Sequence, residues 1–127
     1  MISAIFDQPS YVAAKKMMDA TLARHEAIAS NLANLETPGY KRMDLAPSFA
    51  QALQSAVGSG SSAQIAGLTP TLAVDTTALA HTRDGNTVRL ETELAALIKN
   101  TTEHSLETQI LTGAMARLRL AITGRSA

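Results

Sequence analysis

Ile28-Ala29-Ser30-Asn31-Leu32-Ala33-Asn34-Leu35-Glu36-Thr37-Pro38-Gly39-Tyr40-Lys41-Arg42-Met43-Asp44 sets the frame for the rest of the chain. Ile28, Leu32 and Leu35 lie three and four residues apart and so share one helix face. Pro38 cannot continue a helix and pushes Thr37 toward extended geometry. Gly39 supplies the positive φ that a type II turn needs at its third residue. The string therefore predicts a helix that stops in a fixed turn at 37–40 and delivers Tyr40, Lys41 and Arg42 just beyond it. Pro-Gly alone is a common helix stop and carries no function.

Upstream, the ladder continues as a seven-residue pattern: Tyr11, Ala14, Met18, Thr21, His25, Ile28, Leu32, Leu35. Its steps alternate three and four, the spacing of a coiled-coil seam with a polar middle. The pattern predicts a helix over about 10–36, capped by Asp7 or Ser10. Ile2, Ile5 and Phe6 form a small apolar cluster ahead of it. Asn31 and Asn34 are mediocre helix formers near its end. They read either as fraying or as amides that bond the returning 40s segment or a neighbouring subunit.

Downstream, Phe49, Leu53, Ala56 and Val57 fall at helical spacing, with Pro47 able to open a short helix. Residues 58–85, rich in Gly, Ser, Thr and Ala, read as a flexible loop ordered by its neighbours, with Leu72 to Val74 as a candidate strand of a short β-hairpin. Asp84-Gly85 is a turn signal, and Asn86 or Thr87 can cap the helix that follows. That helix, over about 87–123, has its own seam: Leu90, Leu94, Leu97, Thr101, His104, Thr108, Leu111, Met115, Leu118, Ile122. Glu91 and Glu93 sit in its early turns, where the helix dipole favours negative charge.

The fold class expected is all-α. Two long terminal helices pair as an antiparallel coiled coil, with a short helix and a flexible loop between them, in one domain spanning 1–127. Matching seam to seam places Ala14 by Met115, Met18 by Leu111, Thr21 by Thr108, His25 by His104, Leu32 by Leu97 and Leu35 by Leu94. The polar residues then gather mid-seam.

Composition narrows the function classes. The chain has 127 residues, no Trp, two Phe and two Tyr, so a thick globular core is hard to build. Formal charge is zero with no basic block, which gives nucleic acid no electrostatic footprint. No Cys is present, so disulfides and thiolate chemistry are excluded. No apolar run reaches eighteen residues, and MISAIFDQPS lacks the basic region and long apolar core of a Sec-type signal.

His25, His81 and His104 show no HExxH or His-x-x-x-His spacing. His25 and His104 read as a polar seam layer in preference to a zinc site or a pH switch. No Gly-x-Ser-x-Gly elbow and no phosphate-binding Gly-Lys-Ser/Thr loop occurs. There is no catalytic constellation, no metal set and no cofactor motif.

Taken whole, Asn31-Leu32-Ala33-Asn34, Thr37-Pro38-Gly39-Tyr40-Lys41-Arg42 and Asp44-Leu45 resemble the N-terminal signature of the axial proteins of the bacterial flagellum. These are its rod, hook and hook-junction subunits. The Lys-Arg-x-Asp-Leu continuation and the short chain most resemble the proximal rod family. Asn86-x-Val88, Glu93-Leu94 and Asn100 resemble the C-terminal region of that family. Arg89 departs from it, standing where an acid is usual, as does His104, standing where an aromatic is usual.

The resemblance implies a structural subunit and not an enzyme. It would polymerise through its terminal helices to connect the membrane ring and export gate to the distal rod, and be required for flagellar assembly and motility. Its partners would be itself, other rod subunits, the basal adaptor, the membrane ring and the export gate. It would reach the periplasmic rod unfolded through the flagellar type III apparatus, without a cleaved signal peptide. Longer axial proteins carry an extra domain where this chain has room only for the 58–85 loop. Asn31, Asn34, Thr37, Pro38, Gly39, Tyr40, Lys41, Arg42 and Asp44 become the assembly motif, with Tyr40, Lys41 and Arg42 expected to touch a neighbouring subunit. Two other readings compete: a free helical interaction module, such as a secretion chaperone or regulator, and a His-dependent metalloenzyme.

Overall fold

A computed structural model describes residues 4 and 6–124. Ile2 and Ile5 of the expected N-terminal cluster lie outside the described residues; Phe6 packs edge-on against Tyr11, ring centroids 5.4 Å apart.

The first long helix, α1, is Pro9–Ala33. Pro9 occupies its first turn, where a missing N–H costs nothing. Gln8 precedes it without a side-chain cap, so neither Asp7 nor Ser10 has the capping role expected of it. The helix stops short of residue 36 because Asn34 leaves helical geometry (φ −110°, ψ 18°) while its amide reaches back to Ser30 O at 2.8 Å. Next, Thr37 N–H donates to Asn34 O and Tyr40 N–H to Thr37 O (3.3 Å), with Gly39 at φ +71°. That is the turn the Pro-Gly pair predicts.

Beyond the turn, β1 (Met43–Leu45) pairs antiparallel with β2 (Leu72–Val74), Met43 opposite Val74 and Leu45 opposite Leu72. Between them lie α2 (Pro47–Ser59), opened by Pro47, and α3 (Ser62–Ala66), capped by the Ser61 hydroxyl. The candidate strand is found, but its partner is the segment after the turn, far back in the chain, and α3 is an element the loop reading lacked. Ile65 of α3 is fully buried in a small core with Ala14, Ala20, Ala27, Ile28, Phe49, Ala56 and Val88. The last helix, α4, is Leu90–Thr123 and ends at Gly124, φ +63°.

Along α1 the partners on α4 run backwards: Ala14 lines a crevice with Leu111 and Leu118, Thr21 meets His104 and Glu107, and Asn31 meets Glu93. These contacts bracket the expected register: Thr21 bonds Glu107, one residue from Thr108, and Ala14 shares its crevice with Leu111 and Leu118 on either side of Met115. Thr21, placed by the pattern against Thr108, contacts the neighbouring Glu107 and His104, one turn away. His25 is exposed and shares a crevice with Asn100 and His104 rather than sitting buried opposite His104.

The buried face of α4 is also rotated. Leu97, His104, Leu111 and Leu118 keep inward, half-buried positions, but their companions are Glu93, Asn100, Glu107 and Ala114. The expected companions Leu94 and Met115 are 45% and 47% exposed. On α1, Ile28 is buried, whereas Met18 and Leu32, and Leu35 just past its end, are half-buried. The rotation has a polar cause. Asn100 Nδ2 donates to Thr21 O (2.9 Å), Glu107 accepts from the Thr21 hydroxyl (2.8 Å) and Glu93 accepts from Asn31 (3.1 Å). Buried polar groups need such partners, and α1 offers them to that column.

Candidate assembly site

The turn sits on a closed hydrogen-bond lattice that joins the end of α1, β1 and the start of α4. Asn31, wholly buried on the last turns of α1, serves both backbone groups of Met43: its Nδ2 donates to Met43 O (2.8 Å) and its Oδ1 accepts from Met43 N (2.9 Å). Nδ2 also donates to Glu93 Oε2. The Asn31 amide thus bonds the returning 40s segment, one of the two roles open to it from sequence.

Arg42 is buried at the centre. Its Nε donates to Glu93 Oε1 at 2.6 Å, and its Nη1 donates to Asp44 Oδ2 at 2.9 Å and to Asp75 Oδ2 at 2.7 Å. Burial works against the guanidinium charge, but the hydrogen bonds to Glu93 and Asp44 outweigh it and raise the pKa above the ordinary arginine value. Asp75 is held below the usual carboxylate range, first by the Thr77 hydroxyl; burial opposes this, and the Thr77 amide and Arg42 add to it. Asp44 Oδ1 accepts from Arg24 Nε (3.3 Å), and Arg24 reaches Glu103 on α4 (3.2 Å). Two arginines therefore bridge carboxylates from β1, the segment after β2, and α4.

A second node pulls residues 86–88 against the turn. Asn86 Nδ2 donates to three carbonyls, Asn34 O (2.9 Å), Leu35 O (3.1 Å) and Thr37 O (2.9 Å), while its Oδ1 accepts from Val88 N (2.7 Å). These carbonyls belong to the turn just past α1, where those of Asn34 and Thr37 also accept the Thr37 and Tyr40 amides. Thr87 N donates to Tyr40 O, and the Thr87 hydroxyl accepts from Arg42 N at 2.8 Å. Asn86 and Thr87 thus cap the end of α1 and its turn, whereas sequence placed them as caps of α4.

The motif residues divide by direction. Tyr40 is half-buried, its phenol sharing a hydrogen bond with Ser30 (2.9 Å) and donating to Asn31 (3.4 Å); Arg42 is buried. Lys41 Nζ donates to Gly85 O (2.8 Å). Arg42 and Tyr40 thus bond into the chain's own lattice, and Lys41 bonds the Gly85 carbonyl at the surface. Thr37, Pro38 and Gly39 form the exposed rim, and Asn34 bonds the Thr37 hydroxyl beneath it.

From the sequence, Glu93 carries a helix-dipole role and a place in the family-like C-terminal pattern but no partner, and Asp75 and Arg24 carry no role. The available signal was the column Glu93, Asn100, Glu107, polar residues repeating every seven. It lies next to an apolar column with the same period, which carries the stronger burial signal.

Chemically the lattice is a set of charge-assisted hydrogen bonds that fixes backbone positions. Among the described residues no group of three or more His, Cys, Asp or Glu side chains is placed to hold a metal ion, and no helix is long and apolar enough to cross a membrane.

Residues 17–41 match a family model described as flagella basal body rod protein. The chain is in this respect similar to structural rod components of the flagellar basal body. The match spans most of α1 and the turn and ends just before Arg42. No curated protein matches the chain.

Proposed function

We propose that the chain is a structural subunit of the flagellar proximal rod, of the FlgB kind. The observation that carries this reading is the match of residues 17–41 to the rod family, which covers the Asn31–Tyr40 part of the signature. The continuation Lys41-Arg42-x-Asp44-Leu45 favours the proximal rod over hook and hook-junction subunits.

In this reading α1 and α4 act as an antiparallel coiled-coil unit within a helical tube, and the lattice around Arg42 gives each subunit one fixed shape. The rim Thr37-Pro38-Gly39 is the part of the motif offered to a neighbour. Burial of apolar surface between subunits, at ~25 cal/mol per Å², offsets ordering costs that the thin pair cannot cover alone. Partners are further copies, other rod subunits, the basal adaptor, the membrane ring and the export gate. The chain reaches them unfolded, through type III export.

Deletion of the protein tests the reading: basal bodies without rod or filament in electron micrographs are expected, and intact flagella would overturn it. A cryo-EM map of the flagellar base would then show which neighbours each face meets.

A further inference from the structure

A groove of about 270 Å³ opens between α2 and α4 over the middle of α1. Met17, Phe49, Leu53, Leu106 and Ile110 make it mostly apolar; Glu107 lies in its lining, as do Glu103 and Arg24, the arginine being already paired with Asp44 and Glu103. The Glu107 side chain is only 4% exposed and accepts the Thr21 hydroxyl, yet no cation of the described residues lies within ion-pair distance of it. Burial pushes its pKa up; the Thr21 hydroxyl and the nearby charges of His104 and Arg24 oppose this without reversing it, and Glu103 adds to the rise. A buried carboxylate at an apolar groove is completed by a cation carried on an apolar element.

The end of α4 has that character. Met115, Leu120 and Ile122 are exposed there, Arg117 and Arg119 lie among them, also exposed, and no acidic residue follows Glu107 in the helix. It cannot fold back into its own groove, because Arg119 lies about 18 Å beyond Glu107 along one continuous helix at 1.5 Å per residue.

We propose that the groove between α2 and α4 receives the C-terminal end of α4 from a second copy of the chain, Leu120 and its apolar neighbours filling the groove and Arg117 or Arg119 meeting Glu107. The contact joins two different patches of one surface, so it is heterologous and propagates head to tail instead of closing as a dimer. It names the subunit contact within the rod reading and rests on that reading for its biological setting.

Disulfide trapping tests it on the full chain, which has no natural cysteine. Ala50→Cys, in the groove lining, is mixed with Leu120→Cys under mild oxidation. The control pairs Leu120→Cys with Ser105→Cys, which lines a different groove on α4. The mixed product with Ala50→Cys should form at least about tenfold faster than the control, the advantage of held proximity over random encounter. Adding Arg117→Glu and Arg119→Glu to the Leu120→Cys chain should abolish that advantage, and Lys at both positions should keep it. Equal rates for the two pairs, or no effect of the Glu substitutions, would overturn the contact. Intact flagella in the deletion strain would instead overturn the rod reading and leave the trapping result standing.

Discussion

Arg42 Nε and Glu93 Oε1 lie 2.6 Å apart with both side chains buried, joining the segment just past the turn to the first turn of α4. Removing one partner leaves the other as an uncompensated charge. Arg42→Met is expected to cost about 3–5 kcal/mol in urea unfolding followed by circular dichroism. The double variant Arg42→Met with Glu93→Leu should recover only part of the loss: it removes the fully buried carboxylate, but Asp75 and Asp44 still lose Arg42, and of these Asp44 keeps Arg24. A single variant as stable as the parent would show that the pair is not formed.

Asn86 uses its amide nitrogen three times, so Asn86→Asp should be as damaging as Asn86→Ala despite its matching size. Both remove the donor to Leu35 O and leave Asn34 O and Thr37 O with only the Thr37 and Tyr40 amides, and a loss of about 1–3 kcal/mol is expected. Hydrogen exchange at the Val88 and Thr87 amides should accelerate in both. Protection unchanged in Asn86→Asp would contradict the triple donation.

At Gly39 space is not limiting: an added Cβ would have Asp84 O as its nearest neighbour, at an ordinary 3.8 Å. The constraint is φ, +71°. Gly39→Ala should cost about 1–2 kcal/mol and Gly39→Val more, whereas Asn tolerates this region. Motility on soft agar should fall in the order Gly, Asn, Ala, Val. Normal swimming by the Val variant would remove the turn from assembly.

Glu107 has a folded-state pKa above its ordinary 4.5, burial being the main cause. The folded chain therefore holds this proton more tightly than the unfolded chain. The stability it contributes is full below about pH 4.5 and is lost as pH rises through the raised folded value. Glu107→Gln keeps an acceptor for the Thr21 hydroxyl and no longer buries a charge. It should melt higher than the parent at pH 7, with the difference vanishing toward pH 4. Asp75 works the other way: its lowered pKa gives stability above pH 3.8 that is lost as pH falls through the folded value. An advantage for Glu107→Gln that is the same at pH 4 and pH 7 would contradict the shift.

Leu94, Ile98, Leu106, Ile110, Met115, Leu120 and Ile122 are exposed along α4, while half of the buried apolar core is alanine. Helicity of the purified chain should therefore rise with concentration, together with its sedimentation coefficient. A cooperative melt independent of concentration, from a compact helical monomer, would count against it.

What the residues themselves determined is local. Pro38 and Gly39 restrict their own φ, so the stop of α1 and the turn at 37–40 follow from a few adjacent residues. Pro47 opens α2 for the same reason, and the apolar repeat is enough to announce two long helices. Which face of α4 turns inward was a different kind of question. Two adjacent columns both repeat every seven residues, and apolar character favoured Leu94 and Met115. Only the tertiary structure decided for Glu93, Asn100 and Glu107. A polar side chain can be buried only where another segment supplies its hydrogen bonds, and the partners here, Asn31, Arg42 and Thr21, are far away in sequence.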